Sequence, residues 1–267
     1  MKNQIEWASS PSTASTIDLT ASKSGAPKYQ DLRIKPEFAD LAIKHKTGTE
    51  WFRIMPAMRI AGENQSEVAM FKSAEIAGTR YAFDSKAERA IWAAFNFLKA
   101  NPVRQDLIRA CLPKDQAAFW AIRKEADRET GKDTLELGIL IGSAYDASRG
   151  GAPGLMRNLM ELIHEEDETG KPVDPLNEAH GKLFAITKTA AVAQGQYASY
   201  RAKLGTSPAP MSEYFGGLSD ESRERVTCGI QGTIRLATGE ELADALTAAG
   251  IVSADEWPEI MAADRQR

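Results

Sequence analysis

Cysteine is nearly missing from this chain of 267 residues: only Cys111 and Cys228 occur, far apart. That leaves no basis for a disulfide framework and suits a reducing compartment. Histidine is as scarce, at His45, His164 and His180, and no Cys/His set has metal-ligand spacing, so no metal is expected. No apolar run reaches the ~18 residues of a membrane span, and no membrane partner is expected. The opening "MKNQIEWASSPSTASTIDLTASKSGAPK" lacks the apolar core of a signal peptide. A phosphate-cradling Gly-Lys-Ser/Thr loop is missing too, since "ASRGGAPG" has the glycines without the lysine. No Ser or Cys stands in a nucleophile motif. From these absences a cytoplasmic protein is expected, one that uses no cofactor and is not an enzyme.

What is present is an uneven charge. The net formal charge is -4, yet residues 44–124 carry six more Lys and Arg than Asp and Glu, and residues 213–267 carry six fewer. Local fields decide where a polyanion docks, so an acidic total does not exclude nucleic acid; it asks for a groove.

The pattern along the chain is that of an α+β protein. Residues 1–27 are rich in Ser, Thr and Ala without helical period and read as a flexible arm. In "EWFRIMPAMRIAG", Phe52 and Ile54 alternate with Trp51, Arg53 and Met55, a strand that Pro56 ends or bends. "EVAMFKSAEIAGTRYAFD" is a hairpin turning at Ala77-Gly78-Thr79. A helical insertion over about 84–111 follows, with Asp84 as one cap and Asn101-Pro102 as the start of a second helix. Strands return around Phe119–Lys124 and Leu135–Ile141, then a helix with Leu155, Leu159, Leu162 and Ile163 at core spacing. After residue 215 the chain is helical and acidic, with a capping box from Thr238 to Glu241 and Gly250 as a stop. Hairpins on either side of a helical insertion, with one helix before the last strand pair, give the element order of an OB-fold, a Greek-key barrel, while period alone leaves other α+β folds open. On this division, residues 28–215 form the barrel domain and 216–267 a helical C-terminal region.

The last hairpin is the most informative. In "HGKLFAITKTAAVAQGQYASYRAKLG", period 2 puts Lys182, Phe184, Ile186 and Lys188 on one face, and Tyr197, Ser199, Arg201 and Lys203 on one face of the returning strand. Single-strand binding needs aromatic platforms for bases and cations for phosphates. Lys182, Phe184, Lys188, Tyr197, Arg201 and Lys203 supply both, and Trp51 with Arg53 extends the wall. Lys72, Arg80, Tyr81 and Phe83 on the second hairpin, and Trp120 with Lys124, complete the candidate set.

"FRIMPA", "AFWAIRK", "DPLNEAHGKLFAITKT", "QYASYRAKLG" and "SPAPMSE", in that order over residues 50–215, resemble phage single-stranded DNA-binding proteins of the T-even helix-destabilising family. The resemblance implies an OB-fold groove that holds single-stranded DNA during replication, recombination and repair in a bacterial host. It implies phage or host replication proteins as partners; self-association along the strand is expected from the flexible arm, with Lys23 and Lys28. The family's zinc module has no counterpart, because "DSKAERAIWAAFNFLKANPVRQDLIRACLPK" holds one cysteine. The alternative reading is a metal-dependent nuclease built on the acidic loops His164–Glu168 and Asp174, Glu178 and His180. Carboxylates in one polar loop, however, are ordinarily a solvated face.

Overall fold

The computed structural model describes residues 30–60, 62–126, 133–143, 154–190 and 199–266. The expected arm, residues 1–27, lies outside them. The architecture is α+β: among the described residues, one mixed eight-stranded sheet and a small two-stranded ribbon are packed by eight α-helices. In chain order the strands are β1 (Gln30–Asp31), β2 (Gly48–Ile54), β3 (Met58–Ile60), β4 (Glu63–Gln65), β5 (Val68–Ile76), β6 (Thr79–Phe83), β7 (Lys114–Ala126), β8 (Asp133–Ser143), β9 (Lys182–Thr189) and β10 (Ser199–Pro208). The helices are α1 (Glu88–Phe97), α2 (Pro102–Ala110), α3 (Leu155–Ile163), α4 (Met211–Gly216), α5 (Asp220–Val226), α6 (Gly229–Thr233), α7 (Gly239–Ala248) and α8 (Trp257–Arg265).

The long strand β7 organises the sheet. β8 pairs along one edge, from Gln116 to Ala126. An edge holds one partner at each residue, so β5 (opposite residues 114–119) and β2 (opposite 121–124) share the other edge in tandem. From β5 the sheet continues to β6 and β1, and from β2 to β9 and β10. Its ends do not pair, so the described sheet is open rather than a closed barrel.

Both faces are covered, by different elements. Phe52, Ile54, Phe119, Leu140, Phe184 and Ile186 meet Leu155, Met156 and Leu159 of α3. On the other face Trp120, Ile122, Leu137 and Ile139 meet Met211, Tyr214, Leu218, Val226 and Ile230 from the segment holding α4, α5 and α6. A third core forms where Phe83, Ile91, Ala94, Leu98 and Ile108 meet Leu242, Leu246, Ile251 and Ile260.

Local chemistry explains several boundaries. β2 ends at Ile54, ahead of Pro56. The β5–β6 turn uses Ala77 and Gly78 at φ of 48° and 81°, the two positive values a tight hairpin turn needs. Asn101 accepts from Arg104 N–H to start α2. Both halves of the Thr238–Glu241 capping box are made. Gly250, at φ +67°, closes α7 with Ile251 N–H donating to the Leu246 carbonyl. The basic stretch and the acidic C-terminal stretch pair with each other: Arg89 with Asp264, and Arg104 with Glu256.

Candidate nucleic-acid interface

β2, β9, β10 and the second half of β7 build the site. Trp51 is opposite Lys124 on β7 and Ala185 on β9, and Ala185 is opposite Lys203 on β10. Residues directly opposite one another point to the same face. Lys124, Trp51, Ala185 and Lys203 therefore form one row across four strands, spanning about 14 Å at ordinary strand spacing. The neighbouring row is Thr49, Thr187 and Arg201, with the two threonine hydroxyls 2.8 Å apart. Trp51 is 36% exposed, and its ring edge passes over Gly205, where an added Cβ would lie 3.4 Å from Cζ3. Arg201 and Lys203 are exposed, and Lys124 is held by Asp133 at 2.7 Å. That hydrogen bond raises the Lys124 pKa, so the ammonium stays charged.

Period 2 put Trp51 and Arg53 on one side, and they are, but only Trp51 is reachable. Arg53 is completely buried. Its guanidinium donates to the carbonyls of Ala209 (2.8 Å), Ile54 (2.6 Å), Asn177 (2.5 Å), Leu176 (3.3 Å) and Pro175 (3.5 Å). Burial lowers its pKa to about 10. Its donors are spent on closing the 175–177 loop and the exit of β10 against β2, and no phosphate reaches them.

The hairpin is also corrected. Lys188 is opposite Tyr200 and Phe184 opposite Leu204, whereas Arg201 is opposite Thr187 and Lys203 opposite Ala185. The cations of β10 and the set Lys182, Phe184 and Lys188 thus fall on opposite faces, a one-residue change of register from the expected common face. Phe184 is buried under α3. Lys188 donates from Nζ to the His45 carbonyl at 2.9 Å, and Lys182 is half-buried opposite Pro208. Tyr197 lies outside the described residues.

The remaining candidates are not brought to the row. Phe83 is wholly buried against α1, and Trp120 is 2% exposed, edge-on to Phe38 at 6.4 Å. Both are core residues because helices return over them. Lys72 pairs with Asp115 at 2.7 Å and Arg80 with Glu75 at 3.1 Å. Tyr81 packs on the third core. All three belong to the β5–β6 hairpin, which is joined to the first half of β7, while Trp51 is joined to the second. Sequence reasoning missed Asp133, the threonine pair and Gly205. Only the register of four strands gathers them, and no local signal carries that.

The acidic loops are occupied with turn-making. Asp167 Oδ1 accepts from the Thr169 N–H and hydroxyl and the Lys171 N–H, and Asp174 accepts from the Asn177 side-chain amide. Among the described residues no three His, Cys, Asp or Glu converge as a metal set, and no helix is long and apolar enough to cross a membrane. No protein-family model matches the chain, and no curated protein matches it.

Proposed function

We propose that the protein binds single-stranded DNA without turnover and without strong sequence preference, in DNA replication, recombination and repair. The observation that carries the reading is the exposed Trp51, set on a sheet face between Lys124 and the Arg201/Lys203 pair. An indole face stacks on any base, worth about 1–3 kcal/mol per base, while flanking cations neutralise phosphates and release counterions. A row of about 14 Å matches two to three nucleotides laid across the strands. Bound strand is withdrawn from the duplex equilibrium by mass action. With this reading goes the OB-type Greek-key barrel as parent architecture. It is supported by β2 and β5 sharing one edge of β7, and by the single helix α3 before the last strand pair.

The test is an anisotropy titration with a ~30-nucleotide dT strand, its duplex and an RNA equivalent at two salt concentrations. Expected are salt-sensitive binding to the DNA single strand with tryptophan quenching, and about tenfold or greater weakening by Trp51→Ala. Lys203→Ala should lower the salt slope by about 1. Failure to bind any of the three, or binding untouched by Trp51→Ala, refutes the assignment.

A further inference from the structure

Behind the Trp51 row, on the α3 side of the sheet, a buried polar centre joins four strands. The His45 side chain is 7% exposed and that of Glu50 9% exposed. His45 Nδ1 lies 3.1 Å from Glu50 Oε2, and Glu50 Oε1 accepts from Arg123 of β7 at 3.2 Å. The imidazole meets Phe52 of β2 and Tyr200 of β10 edge-on, with ring centroids 5.6 and 5.4 Å away. Lys188 of β9 holds the His45 carbonyl. His45 Nε2 is buried and has no hydrogen-bond partner among the described residues.

This arrangement favours the neutral ring. Ionised Glu50 can only accept, which places the imidazole proton on Nδ1 and leaves a lone pair on Nε2. A second proton would put an N–H where nothing accepts it. It would also make a cation facing Arg123 and Lys188, with Glu50 as the opposing charge and the Tyr200 hydroxyl neutral. Lys46, on the same loop, already gives its N–H to Glu50 and its ammonium to Glu125. Burial accordingly holds the His45 pKa below its ordinary value, against the opposing pull of Glu50.

We propose that His45 is an acid-sensitive latch on the β9–β10 hairpin: proton uptake at Nε2 drives the ring out from between Phe52 and Tyr200 and frees the start of β10. The sign follows from the geometry. A depressed histidine contributes stability that is complete above pH ~6.5 and is withdrawn as pH falls from there through the folded value. Arg201 and Lys203 ride on the strand released. The consequence for DNA therefore rests on the function proposed above, whereas the latch itself does not.

Hydrogen exchange of the full chain without DNA, corrected for intrinsic rates, tests the latch between pH 7.5 and 5.5. Amides at the start of β10 should exchange about tenfold faster at the lower pH, those of α7 should not, and His45→Gln should abolish the difference. Unchanged β10 exchange, or the same acceleration in wild type and His45→Gln, overturns the proposal. An NMR titration of the His45 ring decides the matter if His45→Gln does not fold: titration below pH ~6.5 supports the latch, and at or above it refutes it. Single-strand affinity over the same range completes the test. If the latch opens but DNA binds at neither pH, only the DNA reading fails; if DNA binds and β10 never loosens, only the latch does.

Discussion

Trp51 and Trp120 stand on the same side of neighbouring strands, one 36% exposed and the other 2%. Their strands look alike: each tryptophan alternates with aliphatic and aromatic residues, and each has a cation within four positions. The difference lies in what returns over them. Phe38 and the segment of α4, α5 and α6 cover the Trp120 half. That cover reaches the Lys124 end of the Trp51 row only at Gly217, where an added Cβ would fall 2.6 Å from Leu135 Cδ1, Leu135 being opposite Lys124 and packed on the same core as Trp120. Alternation tells which side of a strand a residue takes; only the returning chain decides whether that side meets water.

Arg53 sits on the border of the two halves and gives the largest expected effect. Arg53→Met leaves several buried carbonyls without donors and should cost about 3–5 kcal/mol, read from denaturant unfolding. Arg201→Met, in the open half, should stay within about 0.5 kcal/mol. Gly181→Ala offers an independent check, because its Cβ would lie 2.3 Å from Arg53 Nη2 and 2.4 Å from the Asn177 carbonyl. Equal costs for Arg53→Met and Arg201→Met would erase the border.

The tryptophans themselves come next. Trp120→Ala should lose about 3–5 kcal/mol, the ordinary penalty for emptying a large buried aromatic site. Trp51→Ala should lose less, about 1–2 kcal/mol, because the residue is already 36% exposed in the folded chain. The same unfolding curves measure both. A large loss at Trp51 would make it a core residue, and the sheet face would no longer be a platform.

Much of this fold was legible in the residues. Chemical punctuation marks the boundaries: Pro56 after β2, Ala77-Gly78 between β5 and β6, Asn101 before α2, and the Thr238 box with Gly250 around α7. The candidate site was legible by halves. Trp51, Lys124, Arg201 and Lys203 were named and do converge, but Phe184 and Lys188 were assigned to their face and are not on it. A two-residue turn would have set the pairing of β9 and β10; the sequence places nine residues between Thr189 and Ser199, and a shift of one residue exchanges the faces. Arg53 misled for another reason. Exposed and buried arginines have the same periodicity, and the loop that closes on this one is more than 120 residues away in sequence. α4, α5 and α6 are 6, 7 and 5 residues long, too short to show a face, so the cover they give Trp120 had no signal of its own.

The smallest effect sharpens the comparison from the open side, where charge rather than packing is the variable. Asp133 holds Lys124 at 2.7 Å, half-exposed, on the last pairing rungs of β8 with β7. An exposed pair of this kind is worth at most about 1 kcal/mol, so Asp133→Asn should leave stability within about 0.5 kcal/mol. Its effect should appear in binding. Removing an anion beside the row frees Lys124 for a phosphate and should tighten single-strand affinity about two- to threefold at 50 mM salt. At 500 mM salt, where the screening length is only a few ångströms, the gain should vanish. Anisotropy at the two concentrations measures it. A loss of affinity instead would mean that Asp133 acts by aiming the Lys124 ammonium, and that the open half is as carefully braced as the covered one.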